Sequence, residues 1–353
     1  MSSSSTLIGL DRAPAEEFDT VLLDLDGVVY IGPKAVPGAP EALDRVRAAG
    51  VRTAFVTNNA SRPPRVVAGH LRELGVHAED DDVVNSAQAA SALFAKRLPA
   101  GSQVLVVGGL GLYEALEEAG LKPVGSMDDD EPVAVVQGFT PDVNWQLLVE
   151  GTRAVRAGLP WIATNMDATV PTPYGPAPGN GTMVQAVITA TGVQPEVAGK
   201  PQPTLFTEAA ARYGSKAPMV VGDRLDTDLE GARAADLPGM IVLTGVHRVK
   251  DLVAATPAVR PHLIARDLSG LLEPHHGPSV ENGVVTVGSA RARVENGAVV
   301  VLDAGQDALD LARAGVVAAW EHQDAAERAG DPVDAQALLK ALYAVEGDGP
   351  WGR

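Results

Sequence analysis

Two aspartates lie two residues apart at the end of an apolar segment. Residues 21–30 read VLLDLDGVVY, so Asp24 and Asp26 follow a run typical of a buried strand, and Gly27 ends that run. A turn at this point would aim both carboxylates above the edge of a sheet, where open α/β folds bind ligands. Paired acids suit Mg2+ binding, nucleophilic attack and proton transfer. Ordinary Asx turns use the same residue types, so the pair alone leaves catalysis open.

Three later segments carry side chains that suit a phosphoryl group and its metal ion. They contain Thr57, Asn58 and Asn59 after a β-branched segment, Lys200 in a Gly-Lys-Pro turn, and Asp223 and Asp228 in an acidic loop after an apolar run. Hydroxyl and amide groups can donate to anion oxygens, and one lysine offsets negative charge that the acids alone would repel. Together with the first pair, these residues predict a charge-balanced phosphate site that binds Mg2+.

Four motifs in this order resemble those of the haloacid dehalogenase superfamily. They are DLDGVVY at 24–30, VTNNAS at 56–61, GKP at 199–201 and GDRLDTD at 222–228. The branch that they resemble contains NagD-type phosphatases and the phosphoglycolate and pyridoxal phosphate phosphatases. Actinobacterial glycerol 3-phosphate phosphatases of this branch also carry an extra C-terminal segment. The resemblance implies a Mg2+-dependent phosphatase of small phosphate monoesters, with glycerol 3-phosphate as the first candidate.

The resemblance also implies a role for each acid. Asp24 would attack phosphorus and form an aspartyl-phosphate, and Asp26 would serve as general acid and base while its backbone carbonyl binds Mg2+. Asp24 would also bind the ion, Asp223 would be its third protein ligand, and Asp228 would complete the metal site by orienting a metal-bound water. We expect Asp226 to cap a helix and Arg224 to form a structural salt bridge.

Under the same resemblance the polar and basic residues bind phosphoryl oxygens. Thr57, Asn58 and Lys200 would contact the phosphoryl group, with Asn59 close by. Each has an ordinary alternative, because Thr57 and Asn58 could cap a strand end and most lysines are simply solvated.

Composition narrows the class of partner. The formal net charge is −17 over 353 residues, which argues against nucleic acid and against an anionic membrane surface. The sequence has no cysteine, which fits a reducing compartment, and its Ser-rich start lacks the pattern of a secretory signal. We therefore expect a cytoplasmic protein that acts on a small-molecule phosphate monoester and forms a possible homo-oligomer.

Alternating strand and helix patterns predict an α/β fold. The expected architecture is a Rossmann-like parallel-sheet core interrupted by an inserted α/β cap domain, plus a small α+β C-terminal extension. The predicted divisions are a disordered tail at 1–15, a phosphatase core at 16–80 and 199–273, a cap at 81–198 and an accessory region at 279–353. That region should contain hairpins at two Glu-Asn-Gly triplets and helices near 308–328 and 332–343. Residues 274–278 read as a linker with exposed histidines.

Other functions remain open at this stage. A related enzyme could prefer phosphoglycolate, pyridoxal phosphate or a sugar phosphate, and a phosphomutase would use the same nucleophile. Two readings without catalysis are a phospho-acceptor domain and a metabolite-binding module. A glycine-rich turn at 108–111 suggests a dinucleotide site, but Glu114 replaces the third glycine of that motif and would repel a pyrophosphate.

Overall fold

The computed structural model describes residues 6–128, 131–172 and 174–329. The strands are β1 (Thr20–Leu23), β2 (Tyr30–Ile31), β3 (Lys34–Ala35), β4 (Arg52–Thr57), β5 (Val83–Asn85), β6 (Gln103–Val107), β7 (Lys122–Val124), β8 (Ala134–Gln137), β9 (Trp161–Ala163), β10 (Thr169–Thr172), β11 (Gly175–Pro178), β12 (Glu196–Val197), β13 (Pro218–Gly222), β14 (Gly239–Val242), β15 (Leu263–Ala265), β16 (Pro278–Glu281), β17 (Val284–Val287), β18 (Ala290–Glu295) and β19 (Ala298–Asp303). The α-helices are α1 (Pro14–Glu17), α2 (Ala39–Ala48), α3 (Pro64–Glu73), α4 (Ser86–Ala95), α5 (Leu110–Glu118), α6 (Trp145–Arg156), α7 (Asn180–Thr191), α8 (Thr204–Tyr213), α9 (Glu230–Ala234), α10 (Val249–Val253) and α11 (Ala308–Ala329).

The chain divides into two compact units. The first comprises Met1–Thr53 and Ser215–Arg353, and the second comprises Ala54–Gly214. The chain therefore passes between the units within β4 and again after α8. The predicted boundaries of core, cap and accessory region differ from the boundaries of these two units, and they stay predictions.

A parallel sheet organises the first unit. β1 pairs with β13, β13 with β14, and β14 with β15, all in parallel. Every residue of β1 and β14 is buried, as expected for a sheet covered on both faces. This arrangement agrees with the predicted Rossmann-like core and brings the carboxyl ends of β1 and β13 side by side.

An antiparallel sheet of β16 to β19 and helix α11 complete the described part of this unit. The two Glu-Asn-Gly turns have positive φ at both central positions, with 51° at Asn282 and 76° at Gly283, and 50° at Asn296 and 73° at Gly297. Such angles are those of type I′ turns, and the two hairpins that the sequence predicts are present. The predicted helix near 332–343 lies outside the described residues.

Two predictions for the ends of the core are wrong. Of the tail predicted to be disordered, residues 1–5 lie outside the described residues, and residues 6–15 belong to the ordered fold. Leu7 is buried, and the Ile8 amide donates to the carbonyl of His262 at 2.9 Å. His275 is buried instead of exposed, and its Nδ1 accepts from the buried guanidinium of Arg313 at 2.8 Å. The segment expected to be a linker is thus part of the packing between α11 and the parallel sheet.

The second unit contains its own parallel sheet, in the order β12, β9, β8, β6, β7. Strand β4 pairs in parallel with β5, and β10 and β11 form a hairpin. In the glycine-rich turn, a Cβ on Gly111 would collide with the carbonyl of Ala60, and one on Gly108 would crowd Gly138 and Leu112. These glycines permit close packing of the turn against its neighbours.

Across the described ranges, none of the helices has both the length and the apolar character needed to cross a membrane.

Candidate active site

A tight turn follows β1 and positions the first two acids. The amide of Asp24 donates to the carbonyl of Val221 at 2.8 Å, which continues the pairing with β13 for one more residue. Gly27 then has φ of 84°, and its amide donates to the carbonyl of Tyr30 at 2.8 Å. As a result Asp24 is half-buried and Asp26 is exposed.

The loop after β13 supplies two fully buried acids. Asp223 and Asp228 are both 0% exposed. A π-helical turn at Leu225–Leu229 brings Asp228 back toward the strand, and the amide of Arg224 donates to Asp228 Oδ2 at 3.2 Å. Gly222 makes this approach possible, because a Cβ there would overlap the Asp228 carboxyl group. The segment at 222–228 therefore folds back over the end of β13.

Three of the predicted acids meet at one point. Asp24, Asp223 and Asp228 each offer a carboxylate oxygen, and these oxygens lie within 4.8 Å of one another. Like charges at that separation repel by about 3.5 kcal/mol per pair at an effective dielectric constant of about 20. A divalent cation with oxygen ligands removes this repulsion, and hard carboxylate ligands select Mg2+ or Ca2+. The chemistry and spacing of this acidic cluster thus fit the predicted magnesium ion.

The structure does not bring the Asp26 carboxylate into the acidic cluster, within the part of the chain that is described. Its side chain is exposed, whereas that of Asp24 is half-buried. This separation suits a residue that exchanges protons with substrate and water, and it leaves only the backbone carbonyl of Asp26 for the predicted metal contact.

Sequence reasoning missed the loop at residues 244–247, which holds the acidic cluster together. Thr244 Oγ1 donates to the carbonyl of Gly27 at 2.6 Å, and the amide of Val246 donates to Asp223 Oδ2 at 2.6 Å. A Cβ on Gly245 would overlap the Asp223 carboxyl group. One loop therefore fixes both the turn after β1 and the carboxylate after β13, and a Thr-Gly pair after an apolar strand was its only signal in the sequence.

His247 extends this support to the loop after β13. Its amide donates to the carbonyl of Asp223 at 3.1 Å, and its Nδ1 accepts from the amide of Leu225 at 2.9 Å. Since Nδ1 is an acceptor here, the neutral ring carries its proton on Nε2. His247 thereby fixes the backbone on both sides of Arg224.

The two minor predictions for the acidic loop have different outcomes. Arg224 forms the expected salt bridge, with its guanidinium 2.7 Å from Asp226 Oδ2. Burial opposes the charge of Arg224, but the bond to Asp226 and the fields of Asp223 and Asp228 outweigh it, so the pKa of Arg224 is raised. The prediction that Asp226 caps the helix is wrong, because the helical turn begins at Leu225 and the Asp226 carboxylate binds Arg224 instead.

In the second unit, the predicted polar residues lie at the end of β4 and directly after it. Thr57 is buried, and its Oγ1 accepts from the amide of Asn59 at 3.1 Å. Asn59 is exposed, and its Oδ1 accepts from the amide of Ser61 at 2.9 Å. These two short-range bonds shape a compact turn directly after the strand.

Asn58 and Lys200 are in direct contact. The amide of Lys200 donates to Asn58 Oδ1 at 2.8 Å, and Asn58 Nδ2 donates to the carbonyl of Lys200 at 3.1 Å. Lys200 is only 3% exposed, and its Nζ donates to the carbonyl of Val56 at 3.3 Å. Lysine is seldom buried to this extent without polar partners, so Lys200 is not the solvated lysine of the ordinary alternative.

Asn165 and Asp167 also contact this turn, and sequence reasoning assigned no role to either. Asn165 Nδ2 donates to the carbonyl of Asn58 at 2.7 Å, and both carboxylate oxygens of Asp167 lie 3.3 Å from Asn58 Nδ2. Gly199 is required here, because a Cβ would overlap Asn58 Oδ1. The polar loop after β9 was the only signal for these residues.

A parallel α/β sheet whose strand ends gather carboxylates for a divalent ion defines a metal-dependent hydrolase of the haloacid dehalogenase type. Models of this family match in two places: haloacid dehalogenase-like hydrolase at residues 21–122 and HAD-hydrolase-like at residues 197–271. The chain belongs to the haloacid dehalogenase-like hydrolases.

The chain is similar to several phosphatases. It is 46% identical over 318 residues to D-glycerol 3-phosphate phosphatase of Mycobacterium tuberculosis, covering 88% of each chain. It is 35% identical to acid sugar phosphatase of Staphylococcus aureus over 240 residues, which cover 67% of this chain and 91% of the relative.

Solved structures support the same family. A glycerol phosphate phosphatase of Mycobacterium tuberculosis in complex with magnesium superposes with a TM-score of 0.83 at 44% identity, covering 95% of this chain and 98% of that one. The 4-nitrophenylphosphatase of Thermotoga maritima has a TM-score of 0.67 at 29% identity, covering 73% and 98%. The predicted fold class, the assignment as a phosphatase and the magnesium cofactor are confirmed. The two readings without catalysis are thereby set aside.

Proposed function

We propose that this chain hydrolyses small phosphate monoesters and that glycerol 3-phosphate is its principal substrate. The observation that carries the proposal is the acidic cluster, in which oxygens of Asp24, Asp223 and Asp228 lie within 4.8 Å of one another at the ends of β1 and β13. The choice of substrate is supported by the 46% identity to a glycerol 3-phosphate phosphatase over 88% of the chain.

Asp24 is the proposed nucleophile. A carboxylate oxygen of Asp24 forms a bond to phosphorus as the bond between phosphorus and the alcohol oxygen breaks, so the phosphoryl group becomes esterified to the enzyme. Asp24 is half-buried, so its side chain is partly shielded from water. Water then attacks phosphorus, releases inorganic phosphate and restores the carboxylate.

Asp26 is the proposed general acid and base. It donates a proton to the departing alcohol oxygen in the first step and takes one from the attacking water in the second. Its exposed side chain, outside the acidic cluster, supports this assignment because proton exchange requires access to substrate and solvent.

Asp24, Asp223 and Asp228 would hold the magnesium ion, with the backbone carbonyl of Asp26 as the further ligand that the family resemblance implies. A bound Mg2+ offsets negative charge and polarises a phosphoryl oxygen. The hydrogen bond from the Val246 amide keeps Asp223 in its orientation.

Thr57, Asn58, Asn59 and Lys200 are the proposed phosphoryl-binding group, in which the Asn58 side chain acts by holding the backbone of Lys200. The buried ammonium of Lys200 is the cation available in this set, and burial makes its attraction to an anion stronger than it would be in water. Thr57 and Asn59 contribute through the turn that they form after β4.

The direct test measures phosphate release from p-nitrophenyl phosphate with and without Mg2+. Asp24→Asn preserves the size of the side chain but removes the nucleophilic carboxylate, so kcat/KM should fall by at least about 10^3-fold. Asp44→Asn on the exposed face of α2 is the matched control and should retain full activity. Wild-type activity in Asp24→Asn would exclude this mechanism.

A panel of substrates tests the choice of phosphate ester. Glycerol 3-phosphate should give the highest kcat/KM among itself, phosphoglycolate, pyridoxal phosphate and sugar phosphates. A higher value for any of the others would transfer the assignment to that compound without altering the mechanism. The cytoplasmic location and the homo-oligomer remain part of this proposal, and light scattering of the purified protein tests the second.

A further inference from the structure

The side-chain amide of Asn58 pairs with both backbone polar groups of Lys200. Oδ1 accepts from the Lys200 amide at 2.8 Å and Nδ2 donates to the Lys200 carbonyl at 3.1 Å. This two-point contact resembles the pairing of one strand residue with another and fixes the main chain of Lys200 in position and in orientation. The polar atoms of the Asn58 side chain are therefore both bonded to the backbone of Lys200.

Asp167 determines which way that amide points. Both of its carboxylate oxygens lie 3.3 Å from Asn58 Nδ2, where they can accept the second amide proton. A rotation of the amide by 180° would place Oδ1 against this carboxylate and Nδ2 against the Lys200 amide, and both contacts would then be repulsive. The negative charge at position 167 thus selects the one orientation that supports Lys200.

The backbone at Asn58 is held just as firmly. Its carbonyl accepts from Ser86 Oγ at 2.6 Å and from Asn165 Nδ2 at 2.7 Å. The amide of Asp167 in turn donates to Asn165 Oδ1 at 3.1 Å. Residues 165–167 consequently contact Asn58 through its main chain and through its side chain, so the loop after β9 is positioned to control this residue.

We propose that Asp167 is a positioning residue for phosphoryl binding: by orienting the Asn58 amide it fixes the backbone of Lys200 and thereby the place of the Lys200 ammonium group. This inference rests on the proposed function of Lys200. A lysine side chain has four rotatable bonds, so its charge stays at one place only if its backbone is fixed and its stem is packed. Loss of the Asp167 charge should weaken binding of phosphate without unfolding the chain.

The experiment measures the affinity of the Mg2+-loaded protein for inorganic phosphate by calorimetry, which does not depend on turnover. Asp167→Asn and Asp167→Ser each remove the negative charge at position 167 and should raise the Kd of phosphate about tenfold, the effect of replacing a charge-assisted hydrogen bond by a weaker neutral one. Asp128→Asn is the matched control, because Asp128 lies in the same unit and pairs with Arg153 on an exposed surface. The control should bind phosphate as the wild type does. A Kd within twofold of the wild type in either folded Asp167 variant would overturn the proposal.

A double-mutant cycle separates positioning from general loss of structure. Asn58→Asp places two carboxylates against each other and should raise the Kd of phosphate by at least about tenfold more than Asp167→Asn does. Adding Asp167→Asn to Asn58→Asp restores a donor opposite an acceptor, and it should recover at least about fivefold of the lost affinity. The same substitution thus weakens binding in one background and strengthens it in the other. Weaker binding in both backgrounds would refute the role of Asp167.

Lys200→Met distinguishes failure of this proposal from failure of the role proposed for Lys200. We expect it to raise the Kd of phosphate by at least as much as Asp167→Asn. An unchanged Kd in Lys200→Met would remove Lys200 from the phosphoryl-binding group and the positioning role with it. A raised Kd in Lys200→Met beside an unchanged Kd in Asp167→Asn would refute only the latter.

Discussion

At the scale of single residues, the site depends on glycines, which have no Cβ, as much as on carboxylates. Gly222, Gly245 and Gly199 each face a polar side chain so closely that a Cβ would overlap it. In the first unit this crowding forces the carboxylates of Asp223 and Asp228 into contact with backbone amides. The acids were recognisable from their spacing, whereas the glycines that confine them were visible only once the loops were folded.

Gly245→Ala should therefore impair metal binding. The added methyl group would displace the Asp223 carboxylate from the Val246 amide that it accepts from. We expect the Mg2+ concentration for half-maximal activity to rise at least about tenfold, in line with the loss of a supporting bond to a metal ligand. Titration of activity with Mg2+ measures this half-maximal concentration.

Gly69→Ala is the control for that substitution. Gly69 lies within α3, where the nearest side-chain atom to a new Cβ is 3.9 Å away. Alanine in a helix interior should stabilise the chain by about 0.5 to 1 kcal/mol and leave the Mg2+ titration unchanged. If both alanine variants bound Mg2+ equally well, crowding at Asp223 would not be the reason for glycine at 245.

At the scale of elements, turns that depend on local chemistry could be predicted from the sequence, whereas loops that depend on tertiary contacts could not. The Glu-Asn-Gly turns were predictable because a type I′ turn requires two residues that tolerate positive φ. The loop at 244–247 was not predictable, because its bonds to Gly27 and Asp223 join segments far apart in sequence. The same holds for His275, whose burial depends on Arg313 of α11.

Asn282→Ala should destabilise the hairpin of β16 and β17. Asn282 has φ of 51°, where a Cβ without a compensating polar group costs about 1 kcal/mol. We expect urea denaturation to show a loss of that size, with Asn282→Gly close to the wild type. An equal loss in both variants would mean that the asparagine side chain, and not its backbone angle, is what the turn needs.

At the scale of the whole molecule, the C-terminal sheet and α11 share a hydrophobic core with the parallel sheet of the first unit. Trp320 is 1% exposed, its Nε1 donates to the carbonyl of Leu252 at 2.7 Å, and the guanidinium carbon of Arg260 lies 5.1 Å from its ring centre. Arg260 also pairs with Asp324 at 2.8 Å. The accessory region is therefore built into this unit instead of being tethered to it.

Trp320→Ala should cost about 3 to 5 kcal/mol of unfolding free energy, because it removes a large buried side chain and leaves a cavity. Circular dichroism during urea denaturation measures the loss. Trp145 is 76% exposed, so Trp145→Ala is the matched control and should change stability by less than about 0.5 kcal/mol. Comparable losses in the two variants would contradict the shared core.

Stability should also fall in mild acid through His262. Burial, together with repulsion from Arg233 and against attraction from Asp236, lowers the pKa of His262 to about 4 from 6.5. Its Nδ1 accepts from the amide of Gly239 at 3.1 Å, so only the neutral ring fits. The unfolded chain binds the proton more readily, so stability is lost as pH falls from about 6.5 toward 4 and levels off below, by up to about 3 kcal/mol.

His262→Gln should flatten that decline, and His77→Gln at an exposed position should leave it unchanged. Urea denaturation at a series of pH values between 7 and 4 measures the slope for each variant. A slope that persists in His262→Gln would assign the acid sensitivity to another group.

The sequence by itself determined the class of chemistry. Carboxylates spaced around strand ends, a threonine, an asparagine and a lysine in order were enough to indicate metal-assisted phosphoryl transfer, because strand alternation and turn propensity are local properties. Only the tertiary structure decided which acids share one point, that Asn58 is committed to Lys200, and that the C-terminal region is part of a core. Those facts depend on contacts between residues that are distant along the chain. Packing against such neighbours sets where each side chain lies, and no local sequence pattern encodes it.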